Sequence, residues 1–133
     1  MSIEEKQNFQ IFQDSDSFEY PKDEKEVSKL IKQFYQSNHP IELIGSGSKR
    51  KIGRQLQYEK IISLSKLNGI IEYFPEELYI KVKAGTPVSL IEETLEKNNQ
   101  QLAFEPIDFG YINNGKSNKG TIGGYVACNF AGS

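Results

Sequence analysis

A short apolar segment, Ile41–Ile44, runs directly into a glycine- and serine-rich loop at positions 45–53. β-Branched residues followed by glycine are typical of a strand that ends in a tight turn. Such a loop lets backbone N–H groups turn toward an anion, and nearby cations add to the field. Residues 41–60 carry five Lys and Arg against two Glu, a balance of +3, whereas the whole chain carries −2. The sequence therefore predicts an anion site in this loop, with a solvated surface turn as the alternative.

Two further segments place glycine where the chain bends sharply. In Ala-Gly-Thr-Pro at 84–87, Thr86 is a predicted helix N-cap and Pro87 the first helical residue. In Gly-Thr-Ile-Gly-Gly at 120–124, paired glycines allow positive φ and close approach of the backbone to a ligand. Taken alone, each pattern is explained by helix capping or by a tight turn. The loop at 45–53 is also weak alone, since it fits neither the P-loop nor the dinucleotide fingerprint, which would need glycine in place of Arg50.

The rest of the pattern consists of short strands and two amphipathic helices. Asp23 and Glu26 form a predicted capping box, and the first helix is expected to end near residues 37–38. Its predicted buried stripe is Val27, Leu30, Ile31 and Phe34. The buried stripe of the second helix is Val88, Ile91 and Leu95. The predicted strands span 41–44, 61–64, 70–74, 78–84 and 101–104. This order of elements predicts an α+β fold.

The composition excludes several classes of protein. With 133 residues, 37% of them hydrophobic, the chain is long enough for one domain and too apolar for disorder. Its apolar runs are short and its N-terminus has no basic and apolar leader, so neither a transmembrane segment nor a secretory signal is predicted. The net charge argues against a nucleic-acid binder, and one cysteine excludes an internal disulfide and a multi-cysteine metal site. We expect a cytoplasmic domain without metal, with Cys128 buried and His39 in a surface loop.

Taken together and in order, the three loops resemble the flavin-binding half of the vanillyl-alcohol-oxidase, or PCMH-type, family. The resemblance runs from about residue 20 to residue 133 and includes Leu-Ser-Lys-Leu-Asn-Gly-Ile-Ile-Glu-Tyr at 64–73. Within this family, residues 77–106 are most similar to the FAD-binding subunits of bacterial glycolate oxidases. The resemblance implies an α+β domain, made of a small α/β subdomain and the start of a second one. Residues 1–20 are then an extended lead-in and residues 21–133 a domain truncated at its C-terminal side, and the glycine-rich chain end predicts a longer protein.

The resemblance also implies which residues contact FAD. The residues expected to bind its diphosphate through their backbone are Gly45, Ser46, Gly47, Ser48 and Lys49. The residues expected near the cofactor at the second helix are Gly85 and Thr86, and those expected to cradle it from the other side are Gly120, Thr121, Gly123 and Gly124. Lys49 would add its charge or its backbone. No catalytic residue is predicted, because the substrate-facing residues of the family lie beyond position 133. Residues 45–50 contain neither His nor Cys, so the FAD is predicted to be non-covalent.

The activity that the resemblance implies is oxidation of a small 2-hydroxy acid, such as glycolate, to the 2-oxo acid. Its implied partners are a second flavoprotein subunit and an iron–sulfur subunit, which could bring a cytoplasmic protein to the membrane. The 133 residues alone are expected to be inactive. One alternative is another enzyme of the family, such as a D-lactate-type dehydrogenase or a peptidoglycan-precursor reductase. The other is a non-catalytic anion- or nucleic-acid-binding module that uses Lys49, Arg50, Lys51 and Arg54.

Overall fold

The computed structural model describes residues 18–50 and 57–130. Its first sheet consists of three short parallel strands, β1 (Phe18–Glu19), β2 (Ile41–Ile44) and β3 (Lys60–Ser63). The strand order is β1-β3-β2, and Ile61 of β3 is in register with Phe18 on one side and Glu42 on the other. Because β3 has a neighbour on each side, its Ile61 and Ile62 are 1% and 0% exposed and form the centre of this part of the core.

The edges of this sheet differ in detail from the sequence prediction. The strand predicted at 61–64 lies one residue earlier, because Ser63 caps a 3₁₀ turn at Leu64–Lys66 and its hydroxyl accepts a hydrogen bond from the Ser65 N–H (3.4 Å). Of the lead-in predicted at 1–20, positions 1–17 lie outside the described residues, and Phe18 and Glu19 pair with β3. The boundary between lead-in and domain stays a prediction.

The first helix, α1 (Glu24–Gln36), begins at the predicted capping box. The Asp23 carboxylate accepts from the Glu26 N–H (2.9 Å), and the Glu26 carboxylate accepts from the Lys22 N–H (2.8 Å). The predicted stripe is only partly buried, since Phe34 is buried while Ile31 is 41% exposed. A helix of 13 residues is about 20 Å long, whereas strands of four residues span about 13 Å. The short sheet therefore cannot cover the whole stripe.

The second sheet is the predicted hairpin of β4 (Ile70–Phe74) and β5 (Tyr79–Val82). A 3₁₀ turn at Pro75–Glu77 joins the strands, and Leu78 closes it in the left-handed conformation (φ 54°). β5 is shorter than the predicted strand at 78–84, because residues 83–85 turn toward the next helix. The hairpin is tied to the end of that helix, where the Tyr73 hydroxyl donates to the Gln100 side-chain oxygen (2.6 Å).

The next helix, α2 (Val88–Glu96), buries Val88, Ile91 and Leu95 as predicted. The predicted N-cap is wrong: the N-cap is Pro87, and no side chain caps this helix. Thr86 instead points into the protein and is 0% exposed. Its hydroxyl donates to the Gly69 carbonyl (3.2 Å) and accepts from the Gly69 N–H (3.0 Å). Thr86 therefore joins the start of β4 to the start of α2.

This contact predicts a stability effect for Thr86→Val, which keeps the shape of the side chain and removes both hydrogen bonds. We expect the free energy of unfolding to fall by about 2 kcal/mol, because two part-buried backbone groups lose their partner. Chemical denaturation measures the change. The matched control is Thr94→Val, which removes a hydroxyl that donates within α2 to the Leu90 carbonyl, with an expected change below about 0.5 kcal/mol. Equal losses in the two variants would contradict the role given to Thr86.

The segment after α2 departs most from the sequence prediction. Residues 101–104 form no strand, because no neighbouring strand pairs with them; Phe104 packs instead on Tyr125, with ring centroids 5.8 Å apart. Two short helices follow, α3 (Phe109–Asn114) and α4 (Ile122–Ala127), the first of them within a predicted loop. Cys128 is exposed, so the prediction that it is buried is wrong. His39 is exposed as predicted. Among the described residues, no helix combines the length and hydrophobicity needed to cross a membrane.

Candidate functional site

The loop at 45–50 leaves the carboxyl end of β2, where the parallel sheet opens to solvent. Ligands of parallel sheets bind at this edge of the strands. Gly47 has a φ of +74°, a left-handed conformation that favours glycine, and its carbonyl accepts from the Arg50 N–H (3.3 Å). Within the described part of the chain, the backbone N–H groups of Ser46, Gly47 and Lys49 donate to no protein acceptor. They are therefore available to an anion.

A cleft of about 380 Å³ lies beside this loop, at the carboxyl ends of the three strands. Gly45, Ser46 and Gly47 form one wall of it, and Ser63 and Ser65 lie on another. The remaining lining residues are Phe18, Tyr20, Ile44 and Arg50. The cleft thus combines backbone donors and hydroxyl groups with two aromatic rings. Ser63 and Ser65 were not predicted as site residues, although their positions, at the end of a strand and in the turn that follows it, are a signal that sequence reasoning can use.

The loop at 45–49 contacts the second predicted glycine segment, 120–124. A Cβ atom at Gly45 would lie 2.2 Å from the Thr121 hydroxyl oxygen, and one at Gly120 (φ +82°) would lie 2.7 Å from the Ser48 hydroxyl oxygen. Side chains larger than hydrogen at these positions would force the segments apart. The glycines therefore allow the two segments to approach each other.

The third predicted segment, 84–88, lies behind the second. The Ile122 N–H donates to the Thr86 carbonyl (3.0 Å), and the Gly123 N–H donates to the Ala84 carbonyl (2.9 Å). Gly85 is buried against residues 64–67, where a Cβ atom would lie 1.9 Å from the Leu64 carbonyl oxygen. The structure therefore brings all three predicted segments together, with Gly85 and Thr86 in the interior and Gly45, Ser46 and Gly47 at the cleft.

The N–H groups of Gly120, Ile122, Gly123 and Gly124 have protein acceptors, whereas those of Ser46, Gly47 and Lys49 have none among the described residues. The Gly120 N–H donates to the Asn118 side-chain oxygen (3.0 Å) and the Gly124 N–H to the Thr121 hydroxyl (3.4 Å). The Asn118 oxygen also accepts from the Ser46 hydroxyl (3.3 Å), so this side chain links the two segments. Asn118 was not predicted as a site residue. Its place two residues before Gly120 is the available sequence signal, because Asn commonly bonds backbone groups nearby.

Lys49 does not point into the cleft beside β1–β3. Its ammonium lies over three aromatic rings, 4.7 Å from the centroid of Tyr125, 5.3 Å from Phe109 and 5.7 Å from Phe130. Burial lowers the pKa of this ammonium from its ordinary value, because the charged form loses water. The side chain therefore holds the loop against α3 and α4 by cation–π attraction.

Arg50 is engaged in a second intramolecular contact. Its guanidinium donates to both carboxylate oxygens of Glu42 (3.0 and 2.8 Å) and to the Tyr58 hydroxyl (2.7 Å). The hydrogen bond to Glu42 is the main cause that raises the pKa of Arg50 above its ordinary value. Lys49 and Arg50 are thus both engaged in contacts within the chain, Lys49 with aromatic rings and Arg50 with Glu42. Lys51 and Arg54 lie outside the described residues. The local charge of +3 does not form an open basic patch in the part that the structure describes.

A second cleft, of about 630 Å³, lies on the other side of Ser46, between α2 and residues 117–121. Its charged lining residues are Glu92, Glu93, Glu96 and Lys119. Lys119 forms an ion pair with Glu92 (2.8 Å). Ser46 is the loop residue that lines both clefts.

Comparisons with known proteins agree on the type of domain. A family model described as "FAD binding domain" matches residues 16–133. The glycolate oxidase subunit GlcE of Escherichia coli (strain K12) is 34% identical over 102 residues, which are 77% of this chain and 27% of that protein. Two crystal forms of an alkyldihydroxyacetonephosphate synthase match 83% of this chain and 20% of theirs, with TM-scores of 0.59 and 0.58 at 19% and 20% identity. The chain thus spans about a quarter of its curated relative, and the solved structures support the α+β fold alone.

Proposed function

Because this chain belongs to the FAD-binding-domain family, we propose that its loop at 45–49 binds the diphosphate of FAD. The proposal rests on the N–H groups of Ser46, Gly47 and Lys49, which have no acceptor among the described residues and lie at the carboxyl edge of a parallel sheet. A diphosphate offers several anionic oxygens, which such groups bind well. The residues therefore fit the cofactor.

The other predicted residues support this loop from behind. Thr121 and Gly120 are in contact with it, and Gly123 fixes their segment to residue 84. Bound FAD would supply the redox chemistry by accepting a hydride, while the protein orients the cofactor and limits its access to water. Direct contacts of FAD with Gly85, Thr86 and Gly124 stay predictions, and the first two lie in the interior of this structure.

The test is reconstitution of the flavin-free full-length protein with FAD. We expect one FAD per polypeptide, with the altered absorbance and fluorescence of a bound flavin. Titration with a DNA or RNA oligonucleotide serves as the comparison, because the alternative of a basic binding module predicts salt-sensitive binding of nucleic acid and none of flavin. The paired state of Lys49 and Arg50 favours the flavin.

We further propose that the whole protein oxidises a small 2-hydroxy acid such as glycolate. In this reaction the substrate carbon loses a hydride to the flavin and its hydroxyl group loses a proton, which gives the 2-oxo acid. The sequence identity to a glycolate oxidase subunit over 77% of this chain supports the proposal. Dye-linked assays that compare glycolate with D-lactate test it. Reduction by D-lactate alone would favour the other dehydrogenase type.

The same likeness supports the proposal of partner proteins. The relative is named as a subunit, and this chain has one cysteine, fewer than the four that commonly ligate an iron–sulfur cluster. We expect the electrons to pass to a second flavoprotein subunit and an iron–sulfur subunit, with the protein cytoplasmic or held at the membrane by these partners. Co-purification with the products of neighbouring genes, followed by iron analysis and cell fractionation, tests both points.

The FAD is expected to be non-covalent. Residues 45–50 contain no nucleophilic His or Cys, and His39 lies before β2 and contacts Glu59. Acid precipitation of the full-length flavoprotein is expected to leave the flavin in the supernatant. Cys128→Ala is the control, because Cys128 is exposed and follows α4. Flavin fluorescence that stays with the denatured wild-type protein would contradict the prediction, and its loss in Cys128→Ala would identify the link.

A further inference from the structure

We propose that Arg50 is a positioning residue for the flavin diphosphate, which fixes the 45–49 loop through its contacts with Glu42 and Tyr58. The inference rests on the function proposed above and deepens it. It also revises the expectation that the basic residues of the loop attract the anion directly.

The first argument is the geometry of the Arg50–Glu42 pair. Nε and Nη2 of Arg50 donate to the two oxygens of Glu42, a fork that holds the guanidinium in one orientation. Glu42 lies within β2, its side chain is 8% exposed, and its backbone is in register with Ile61 of the central strand. Arg50 therefore connects the end of the loop to β2, next to the central strand of the sheet.

The second argument is the contact between Arg50 and Gly47. The Arg50 N–H donates to the Gly47 carbonyl, and a Cβ atom at Gly47 would lie 3.3 Å from Cδ of Arg50. The stem of Arg50 thus lies against Gly47, which holds the left-handed conformation that turns the chain. When Arg50 is fixed, the direction of the N–H groups at 46 and 47 is fixed with it.

The third argument is charge. The Glu42 carboxylate, which is mostly buried, neutralises the guanidinium, and the Tyr58 hydroxyl occupies a further position on Nη2. The positive charge of Arg50 is therefore already balanced by Glu42 when an anion approaches the loop. Loss of Glu42 would leave Arg50 without the carboxylate that orients it, whereas loss of Arg50 would leave the Glu42 carboxylate mostly buried and without its cation.

The experiment is a double-mutant cycle on FAD affinity in the full-length protein with Glu42→Gln and Arg50→Gln. We expect each variant to bind FAD about tenfold more weakly, and the double variant no more weakly than either single one. The dependence of the Kd on salt is expected to match wild type throughout. Lys25→Gln, which removes a positive charge from the exposed side of α1, is the control and is expected to bind as wild type.

Arg50→Lys separates positioning from charge, because lysine keeps the charge and cannot form the fork. We expect Arg50→Lys to bind FAD nearly as weakly as Arg50→Gln. Wild-type affinity in Arg50→Lys, tighter binding in Glu42→Gln, or a weaker salt dependence in Arg50→Gln would each overturn the inference.

Tyr58→Phe keeps the inference testable if Glu42→Gln does not fold, because it removes only one hydroxyl of the network. We expect it to weaken FAD binding severalfold while the unfolding transition of the flavin-free protein is unchanged. Unchanged affinity in both Tyr58→Phe and Arg50→Lys would refute the positioning role alone. Failure of the wild-type protein to bind FAD would refute the proposed function instead.

Discussion

Replacing Gly85 by alanine is expected to lower the free energy of unfolding by about 3 kcal/mol. The added Cβ atom would lie 1.9 Å from the Leu64 carbonyl oxygen and 2.8 Å from that of Leu67. Both neighbours are backbone atoms, and the Gly85 N–H donates to the Leu67 carbonyl (2.8 Å), so the segment cannot move away without losing that bond. Chemical denaturation of the flavin-free protein measures the loss.

Gly115→Ala is the matched control for this prediction. Gly115 has a φ of +73° but nothing within 4 Å of an added Cβ atom, so its substitution tests backbone conformation without a steric clash. We expect it to cost about 1 kcal/mol. A smaller loss for Gly85→Ala than for Gly115→Ala would show that the contact between residue 85 and the 64–67 turn is looser than the structure indicates.

Replacing Gly47 by valine is expected to abolish most FAD binding, with the Kd raised about 100-fold or more. A β-branched residue is strongly disfavoured at the φ of +74° that Gly47 adopts, and its side chain would meet Cδ of Arg50. The loop must then rearrange, which changes the directions of the N–H groups at 46, 47 and 49. A loss of two or three hydrogen bonds to a charged ligand, about 1.5 kcal/mol each, accounts for this effect. Flavin content after purification and a titration with FAD measure it.

Gly115→Val serves as its control, because residue 115 has nearly the same φ and lies in the turn after α3. We expect this variant to lose stability and to keep one FAD per folded polypeptide. Unchanged flavin stoichiometry in Gly47→Val would show that the diphosphate is bound elsewhere. Loss of the cooperative unfolding transition in Gly47→Val would mean that the flavin must be titrated in the less disruptive variant Gly47→Ala, for which we expect the same direction of change.

Local patterns predicted those elements that depend on neighbours in the sequence. The Asp23 and Glu26 cap of α1, the apolar stripe of α2 and the hairpin around Pro75–Glu77 all form as expected, because each involves residues within one or two turns of each other. The strand predicted at 101–104 does not form. Its residue pattern is typical of a strand, but a strand also needs a neighbouring strand for its backbone hydrogen bonds. The tertiary fold places no such strand beside residues 101–104.

The candidate site also combines features that local sequence patterns predicted with contacts that only the tertiary fold brings about. The glycine pattern indicated the three segments that meet. The glycines at 45, 85 and 120 leave room for another segment of the same chain to pack closely against them. The sequence could not indicate that Thr86 would point inward to Gly69, because the two residues are separated by the whole hairpin. It also could not indicate that Lys49 would lie over three rings from α3, α4 and the turn after α4.

The sequence by itself thus determined the FAD-binding family and predicted the loop at 45–49 as the diphosphate site, because both inferences depend on residue types at short spacing. Only the tertiary structure decided which atoms of that loop remain available. Glu42, Tyr58 and the aromatic rings pair with its two described cations, whereas the N–H groups of Ser46, Gly47 and Lys49 have no acceptor among the described residues. The physical reason is that a charge near a mostly buried carboxylate or a group of rings is more stable when paired with them than alone. Such pairs form between residues far apart in the chain, where no local pattern records them.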